Sequence, residues 1–293
     1  MSIAPSLDRL VTLTVPRDVL VVSGPEAAMY LHGQISADVT SMEIGDSSLS
    51  FLLEPRGRIE TFFVISRTGP DTYVADTEAG FGEAMAASLE RFKLRTRADF
   101  SLSQWQAHAV RGPQAGEPAV GASSTGPDNA PQHVVRPPHW PLASGHDLLA
   151  SPGGVVSQFG EGGEAISADE FDALRMVYGL PAMGTEIQPG DIPNETGLVE
   201  RAASFTKGCY RGQELVERID SRTGGRRSVC RLRAAAPLAV GDELRDSSGA
   251  SVATVLNAAA LNGTTVGFAR SRNDAGAVAY TASGGQVQLA DLF

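Results

Sequence analysis

The sequence predicts an α+β protein: a mixed sheet with helices on one side, followed by a small antiparallel sheet or β-barrel at the C-terminus. Three observations carry this. Strand-like and helix-like apolar segments alternate through the N-terminal part, a well-delimited helix follows residue 167, and from about Ser228 onward only short strand-like runs remain. The same change of pattern divides the chain into residues 1–227 and 228–293.

In order, Val19-Leu20-Val21-Val22 reads as a strand, Gly24-Pro25 as a turn, and the residues that follow as a helix through Ala27, Ala28, Tyr30 and Leu31. Leu49 to Leu53 and Ile59 to Ile65 are two apolar runs joined by Glu54-Pro55-Arg56-Gly57-Arg58, which predicts a β-hairpin. Thr72 to Ala75 predicts another strand. Phe81, Met85, Leu89 and Phe92 share one helical face, a stripe suited to core packing. Residues 112–146, rich in Pro, Gly, Ala and Ser, predict a long loop or a crossing between subdomains, placed near 100–146. Ser167-Ala168-Asp169-Glu170 has the form of a capping box opening a helix through Phe171, Leu174, Val177 and Tyr178, which Gly179 and Pro181 end. Val229 to Leu232, Val252 to Leu256, Thr264 to Ala269 and Val287 to Leu289 supply the strands of the small C-terminal sheet.

Composition narrows the function classes. With 293 residues, 42% of them hydrophobic, the chain can bury a sizeable core. No apolar run approaches the roughly 18 to 20 residues of a membrane span, and Met1 to Ser6 do not open a secretory signal, so a soluble, cytoplasmic protein is expected. A net charge of -10 argues against a surface built to track DNA. Within that acidic total, residues 201–233 hold nine basic side chains against three acidic ones, an island suited either to a small anionic ligand or to a solvated face. The five histidines show no metal-ligand spacing and read as structural or exposed, and the two cysteines do not form a metal-ligand set.

The chemistry concentrates in Lys207-Gly208-Cys209-Tyr210-Arg211-Gly212-Gln213-Glu214. Gly208 and Gly212 would let the backbone turn sharply or approach a ligand, and Gln213-Glu214 open a helix. Cys209 then precedes a helix N-terminus, where that helix end, Lys207 and Arg211 would favour the thiolate; the alternative is a small buried hydrophobe. Of 24 basic residues only Lys93 and Lys207 are lysines, which hints that a compact ammonium matters at 207.

This segment is similar to the Lys-Gly-Cys-Tyr-x-Gly-Gln-Glu signature of the YgfZ/GcvT-like proteins, with all seven fixed positions present. Gly24-Pro25-Glu26-Ala27-Ala28, Leu53 to Glu60, Gly179-Leu180-Pro181 and Ile192-Pro193-Asn194-Glu195 resemble that family's other landmarks. The resemblance implies a GcvT-like three-domain ring around a central opening, with two subdomains inside 1–227. It implies bound tetrahydrofolate, or another reduced folate, and a role in assembling or maintaining iron-sulfur cluster proteins, whose client or assembly proteins would be its partners. It makes Cys209 the functional thiol, with Lys207 and Tyr210 beside it. It places Glu195 on the pterin ring, where a carboxylate suits a bidentate pairing, and Arg226 or Arg227 on the folate's carboxylate tail. Gly208, Gly212, Gln213 and Glu214 complete the expected folate-binding set.

Two other readings stay open. A folate-dependent aminomethyltransferase, like the glycine cleavage T-protein, is the first and the one enzymatic possibility; against it, Glu60-Thr61 stand where the transferases carry an Asp-Asp pair, so a positioned carboxylate has become a hydroxyl. The second is a non-catalytic scaffold whose basic island binds a protein or RNA partner.

Overall fold

The computed structural model describes residues 7–113, 115, 123–125, 131–141, 143–154, 163–221 and 226–292; Arg222 of the basic island lies outside them. Strand β1 (Val11–Ser23) and helix α1 (Ala27–Gln34) open the fold, followed by β2 (Ser47–Leu53), β3 (Ile59–Gly69), β4 (Thr72–Glu78) and α2 (Gly82–Lys93). Next come β5 (Asp99–Arg111), β6 (Ser123–Thr125), β7 (Pro131–Arg136), β8 (Gly145–Ala150) and β9 (Glu164–Ala165). The nine strands form one sheet ordered β2-β3-β4-β1-β5-β8-β7-β6, with β9 parallel to the start of β1 and the other pairs antiparallel. Helix α3 (Ala168–Tyr178), a 3-10 turn (Pro193–Glu195), α4 (Val199–Ala202) and α5 (Gln213–Asp220) lead to a closed six-stranded antiparallel barrel. Its strands are β10 (Arg227–Ala234), β11 (Glu243–Arg245), β12 (Ser251–Leu261), β13 (Thr264–Arg272), β14 (Val278–Tyr280) and β15 (Gln286–Ala290).

The alternation of β3 sets the layers. Phe63 and Ile65 join Tyr30 and Leu31 of α1 and Met85 and Leu89 of α2 in one core, so these two helices share a face as the sequence predicts. Phe62 and Val64 point the other way, into a core with Met176 of α3, Tyr210, Val216 of α5 and Phe268 of the barrel. Helices therefore cover both faces, because α3 and α5 fill the gap between the sheet and the barrel.

Residues 112–146, expected to be loop or crossing, contribute β6, β7 and the start of β8. Of these, β8 hydrogen-bonds onto β5, which is itself 13 residues long, and β7 and β6 extend the sheet outward from β8. Helix α3 starts where the sequence predicts: the Ser167 hydroxyl accepts from Glu170 N at 3.1 Å. The reciprocal half of the box is not made with Ser167, because the Glu170 carboxylate instead pairs with Arg9. At its other end Gly179 takes a left-handed φ of 83°.

Candidate functional site

The Lys207–Glu214 segment is held against the end of α1 by backbone chemistry. The last turn of a helix leaves carbonyls without intrahelical partners, and here the segment supplies donors for them and for the loop beyond. Arg211 N donates to the Gly33 carbonyl at 3.1 Å and Ser204 N to the Ser36 carbonyl at 2.9 Å. Lys207 Nζ donates to the Ile35 carbonyl at 2.9 Å and to the Ala37 carbonyl at 2.6 Å, a cation at the negative end of a helix. An ammonium seats between two converging carbonyls where a planar guanidinium would not, which gives the lone lysine of this region a physical reason. Lys207 also lies 5.2 Å from the centre of the Tyr210 ring.

Burial brings the Lys207 ammonium down to about 8, with Asp38 opposing the shift. The neutral amine keeps two N–H groups, enough for both carbonyls. Between about pH 8 and the ordinary lysine value near 10.4, the unfolded chain retains a proton that the folded chain has released. Stability contributed by this group therefore rises with pH across that window. Urea unfolding at pH 7.5 and pH 10 should show the parent gaining stability relative to Lys207→Met, and equal changes in both proteins would contradict it.

Four more residues of the segment, Tyr210, Arg211, Gly212 and Gln213, also hold the loop in place. Tyr210 is buried, burial raises its hydroxyl to about 12, and Tyr210 Oη has no hydrogen-bond partner among the described residues. Its backbone N–H donates to Gln213 Oε1 at 3.1 Å, and Gln213 Nε2 donates to Glu217, so Gln213 folds the loop onto α5. Arg211 donates to Glu60 at 2.8 Å and to Ser88 Oγ at 2.9 Å, with its guanidinium 4.5 Å from the centre of the Phe92 ring. Gly212 has φ 80°, and a Cβ on it would lie 2.6 Å from the Glu54 carbonyl oxygen and 3.0 Å from Gly57 Cα. The close approach that Gly212 permits is thus to the β2–β3 turn of the chain itself.

Cys209 is exposed, as are Gly208 and Glu214. Gly208 does not have the left-handed backbone its residue type allows, and a Cβ there would meet only His32 Nε2, at 3.9 Å. The cations expected to favour the thiolate have other partners, Lys207 in two carbonyls and Arg211 in Glu60. Cys230 is buried in β10, with burial raising its thiol to about 12, in keeping with its alternating run.

A separate cavity of about 460 Å³ lies between the sheet and α3. Leu13, Phe62, Val64, Ala107, Trp140 and Phe171 give it apolar walls, and Arg17, Arg111, Arg136 and Arg175 face Glu78, Asp147, Asp169 and Asp172 around it. Arg136 donates to Asp76 at 2.9 Å and Arg111 pairs with Asp147 at 2.7 Å, with the Arg111 guanidinium 4.3 Å from the centre of the Trp140 ring. Arg111 Nε and Arg136 Nε are buried donors with no partner among the described residues.

Glu195, Arg226 and Arg227 do not line this cavity. Glu195 is half-buried on the 3-10 turn, which Asn194 ties to α5 through a 3.2 Å hydrogen bond to the Val216 carbonyl. Arg226 and Arg227 are exposed at the start of β10. The residues expected to hold a folate therefore lie on the loop, the turn and the barrel edge. Glu60 and Thr61 are also outside it: Glu60 pairs with Arg211, and Thr61 is fully buried. Sequence reasoning missed His32, Asp38 and the cavity arginines; the Asp38-x-Thr40-Ser41 turn pattern was the one local signal for the second. Among the described residues no cluster of His, Cys, Asp and Glu is placed to hold a metal ion, and no described helix is long and apolar enough to cross a membrane.

No family model matches the chain. An iron-sulfur cluster assembly factor homologue, mitochondrial, of Chaetomium globosum is 26% identical over 241 residues, covering 73% of this chain and 53% of the relative, so the chain spans about half that protein's length. A protein named tRNA-modifying protein YgfZ, of Photorhabdus laumondii, is 25% identical over 261 residues, covering 83% of this chain and 78% of the relative. Among solved structures, the glycine cleavage system aminomethyltransferase T of Bartonella henselae superposes with a TM-score of 0.81 at 18% identity, over 97% of this chain and 85% of that one. The chain is thus similar in sequence to relatives of these names and shares the fold of the transferase.

Proposed function

We propose that the protein binds a reduced folate, tetrahydrofolate by preference, in the cavity beside α3 and acts in the assembly or maintenance of iron-sulfur proteins through the Cys209 thiol. One observation carries the thiol's role: within Lys207–Glu214 the lysine, tyrosine, arginine, second glycine and glutamine are all engaged in holding the loop, while Cys209 stands exposed on it. A loop fixed this firmly presents its sulfur in a set position to a large partner. The assembly role follows the names of the relatives, and its partners would be iron-sulfur client or assembly proteins.

The cavity suits a folate on three counts. Its volume falls within the roughly 300–1,000 Å³ of ligand pockets. Its aromatic and aliphatic walls match a pterin's faces, and the unmet Arg111 and Arg136 N–H groups would serve the ligand's carbonyl or carboxylate oxygens. Arg136, Trp140 and Phe171 are the residues that would hold it; the folate would supply a carrier for a one-carbon unit. The engagement of Glu60 with Arg211 and the burial of Thr61 favour this reading over an aminomethyltransferase, since neither offers a carboxylate to a bound substrate.

Calorimetric titration with tetrahydrofolate tests the site. Saturable binding is expected in the parent, and Leu13→Trp, which fills the cavity from a half-buried wall position, should weaken it by about tenfold or more, ~1.4 kcal/mol. Glu195→Ala should bind as the parent does. The reverse pattern would put the ligand at the 3-10 turn, and no affinity for any reduced folate would remove folate from the proposal.

A further inference from the structure

His32 sits in the last turn of α1, facing the loop that carries the thiol. Its Nδ1 lies 3.3 Å from Asp38 Oδ1 and 3.3 Å from Thr40 Oγ1. Its Nε2 is the atom that a Cβ on Gly208 would approach at 3.9 Å, one residue from Cys209. Asp38 is itself fixed: its Oδ1 accepts from Thr40 N at 3.1 Å, Thr40 Oγ1 at 2.8 Å and Ser41 N at 3.3 Å. Burial pushes the Asp38 carboxyl up, but these hydrogen bonds outweigh it and hold the group ionised below the usual range. Burial, then the nearby Lys207 ammonium, pushes the His32 imidazole down, with Asp38 opposing. Asp38 and Lys207 are the charged groups that act on this ring, and Cys209 follows Gly208 in the chain.

We infer that His32, oriented by Asp38, is the proton acceptor for the Cys209 thiol. An imidazole neutral near pH 7 whose Nδ1–H donates to Thr40 Oγ1, which in turn donates its hydroxyl to Asp38 Oδ1, carries its lone pair on Nε2, on the side of the Gly208–Cys209 backbone. When the sulfur bonds to an electrophile, its proton passes to Nε2, and Asp38 stabilises the imidazolium formed. The inference rests on Cys209 being the working thiol.

Iodoacetamide provides the probe: an S–C bond forms, the C–I bond breaks, iodide leaves and the thiol proton goes to His32. Rate constants for Cys209 between pH 5.5 and 9.5, read by peptide mass spectrometry, should show an inflection in the imidazole range in the parent. His32→Gln should lose that inflection and react at least about tenfold more slowly at pH 7, the low side of general-base effects. Asp38→Asn should show a smaller fall in the same direction. Superimposable parent and His32→Gln profiles would overturn the inference. Should His32→Gln fail to fold, the comparison moves to Cys209→Ser, which alters an exposed side chain. The NMR titration midpoint of His32 should then differ between parent and Cys209→Ser, and coincident curves would overturn the inference equally. Labelling reads the thiol–imidazole pair alone, whereas complementation by Cys209 variants reads the thiol's biological role, so the inference and the function beneath it fail in separate experiments.

Discussion

Gly212→Ala is expected to lower the unfolding free energy by about 2–5 kcal/mol, the sum of a left-handed backbone penalty and the overpacking of a filled site. Two independent features produce this. The φ of 80° is one that an alanine adopts only under strain, and the added Cβ would lie 2.6 Å from the Glu54 carbonyl oxygen and 2.8 Å from Leu53 Cβ. The opposing residue has the same constraint: a Cβ on Gly57, at φ 83°, would lie 2.4 Å from Leu215 Cβ and 2.7 Å from the Gly212 carbonyl oxygen. Two glycines thus meet where the β2–β3 turn and the start of α5 touch, and neither segment can withdraw without breaking the hairpin or the helix. Gly208→Ala is the internal comparison. Its position is open and has no positive φ, so its effect should stay within about 0.5 kcal/mol, the range for exposed positions. Urea unfolding of the three proteins gives the result directly, and a loss below 1 kcal/mol for Gly212→Ala would mean that the loop relaxes around the methyl group.

Segments whose period is self-contained were legible in the sequence. The β2–β3 hairpin, helices α1 and α2, the Ser167 cap and the barrel runs beginning at Val229, Val252, Thr264 and Val287 follow from local spacing, and the structure forms each of them, although Phe81, expected on the α2 stripe, precedes the helix and packs in the other core. Strand β1 was legible only in part. Its apolar run Val19–Val22 stands out, but the strand begins at Val11, and Pro16 hides that extension. Pro16 pairs with Gln106 of β5, and the β4 pairing begins only at Arg17, so the missing N–H falls where β1 has one ladder beside it. Strand β5 was lost for a different reason: small Ala107 and Ala109 and polar Ser101, Gln104 and Gln106 leave no apolar run, and its place in the sheet is fixed by β1 and β8.

Within the candidate site, the contacts made by the loop were less legible than its motif. Lys207 looked like a chemical group and is held by the end of α1, and Arg211 looked like a partner of the thiol and pairs with Glu60, because both acceptors lie more than 150 residues earlier in the chain. His32 was passed over because one histidine in a helix has no ligand spacing; only folding sets it against Gly208. The cavity arginines were unreadable for a similar reason. Arg111 and Arg136 sit in strands at 2% and 4% exposure, where sequence patterning expects apolar side chains, and their charges are met by Asp147 and Asp76 from other strands.

Cys209→Ala is expected to abolish function while leaving the fold intact, the largest separation of the two that the site allows. The side chain is exposed and its loop is held by its neighbours, so removing the sulfur should change stability by no more than about 0.5 kcal/mol. The measurement is iron-sulfur enzyme activity in a bacterial strain deleted for its own relative and supplied with the parent, Cys209→Ala or Cys230→Ala, each at equal protein level. The parent should restore activity, Cys209→Ala should leave it at the level of the deletion strain, and Cys230→Ala should restore it, since Cys230 is buried in the barrel. Full restoration by Cys209→Ala would contradict the proposed function and make the cysteine a bystander on a loop built for another purpose.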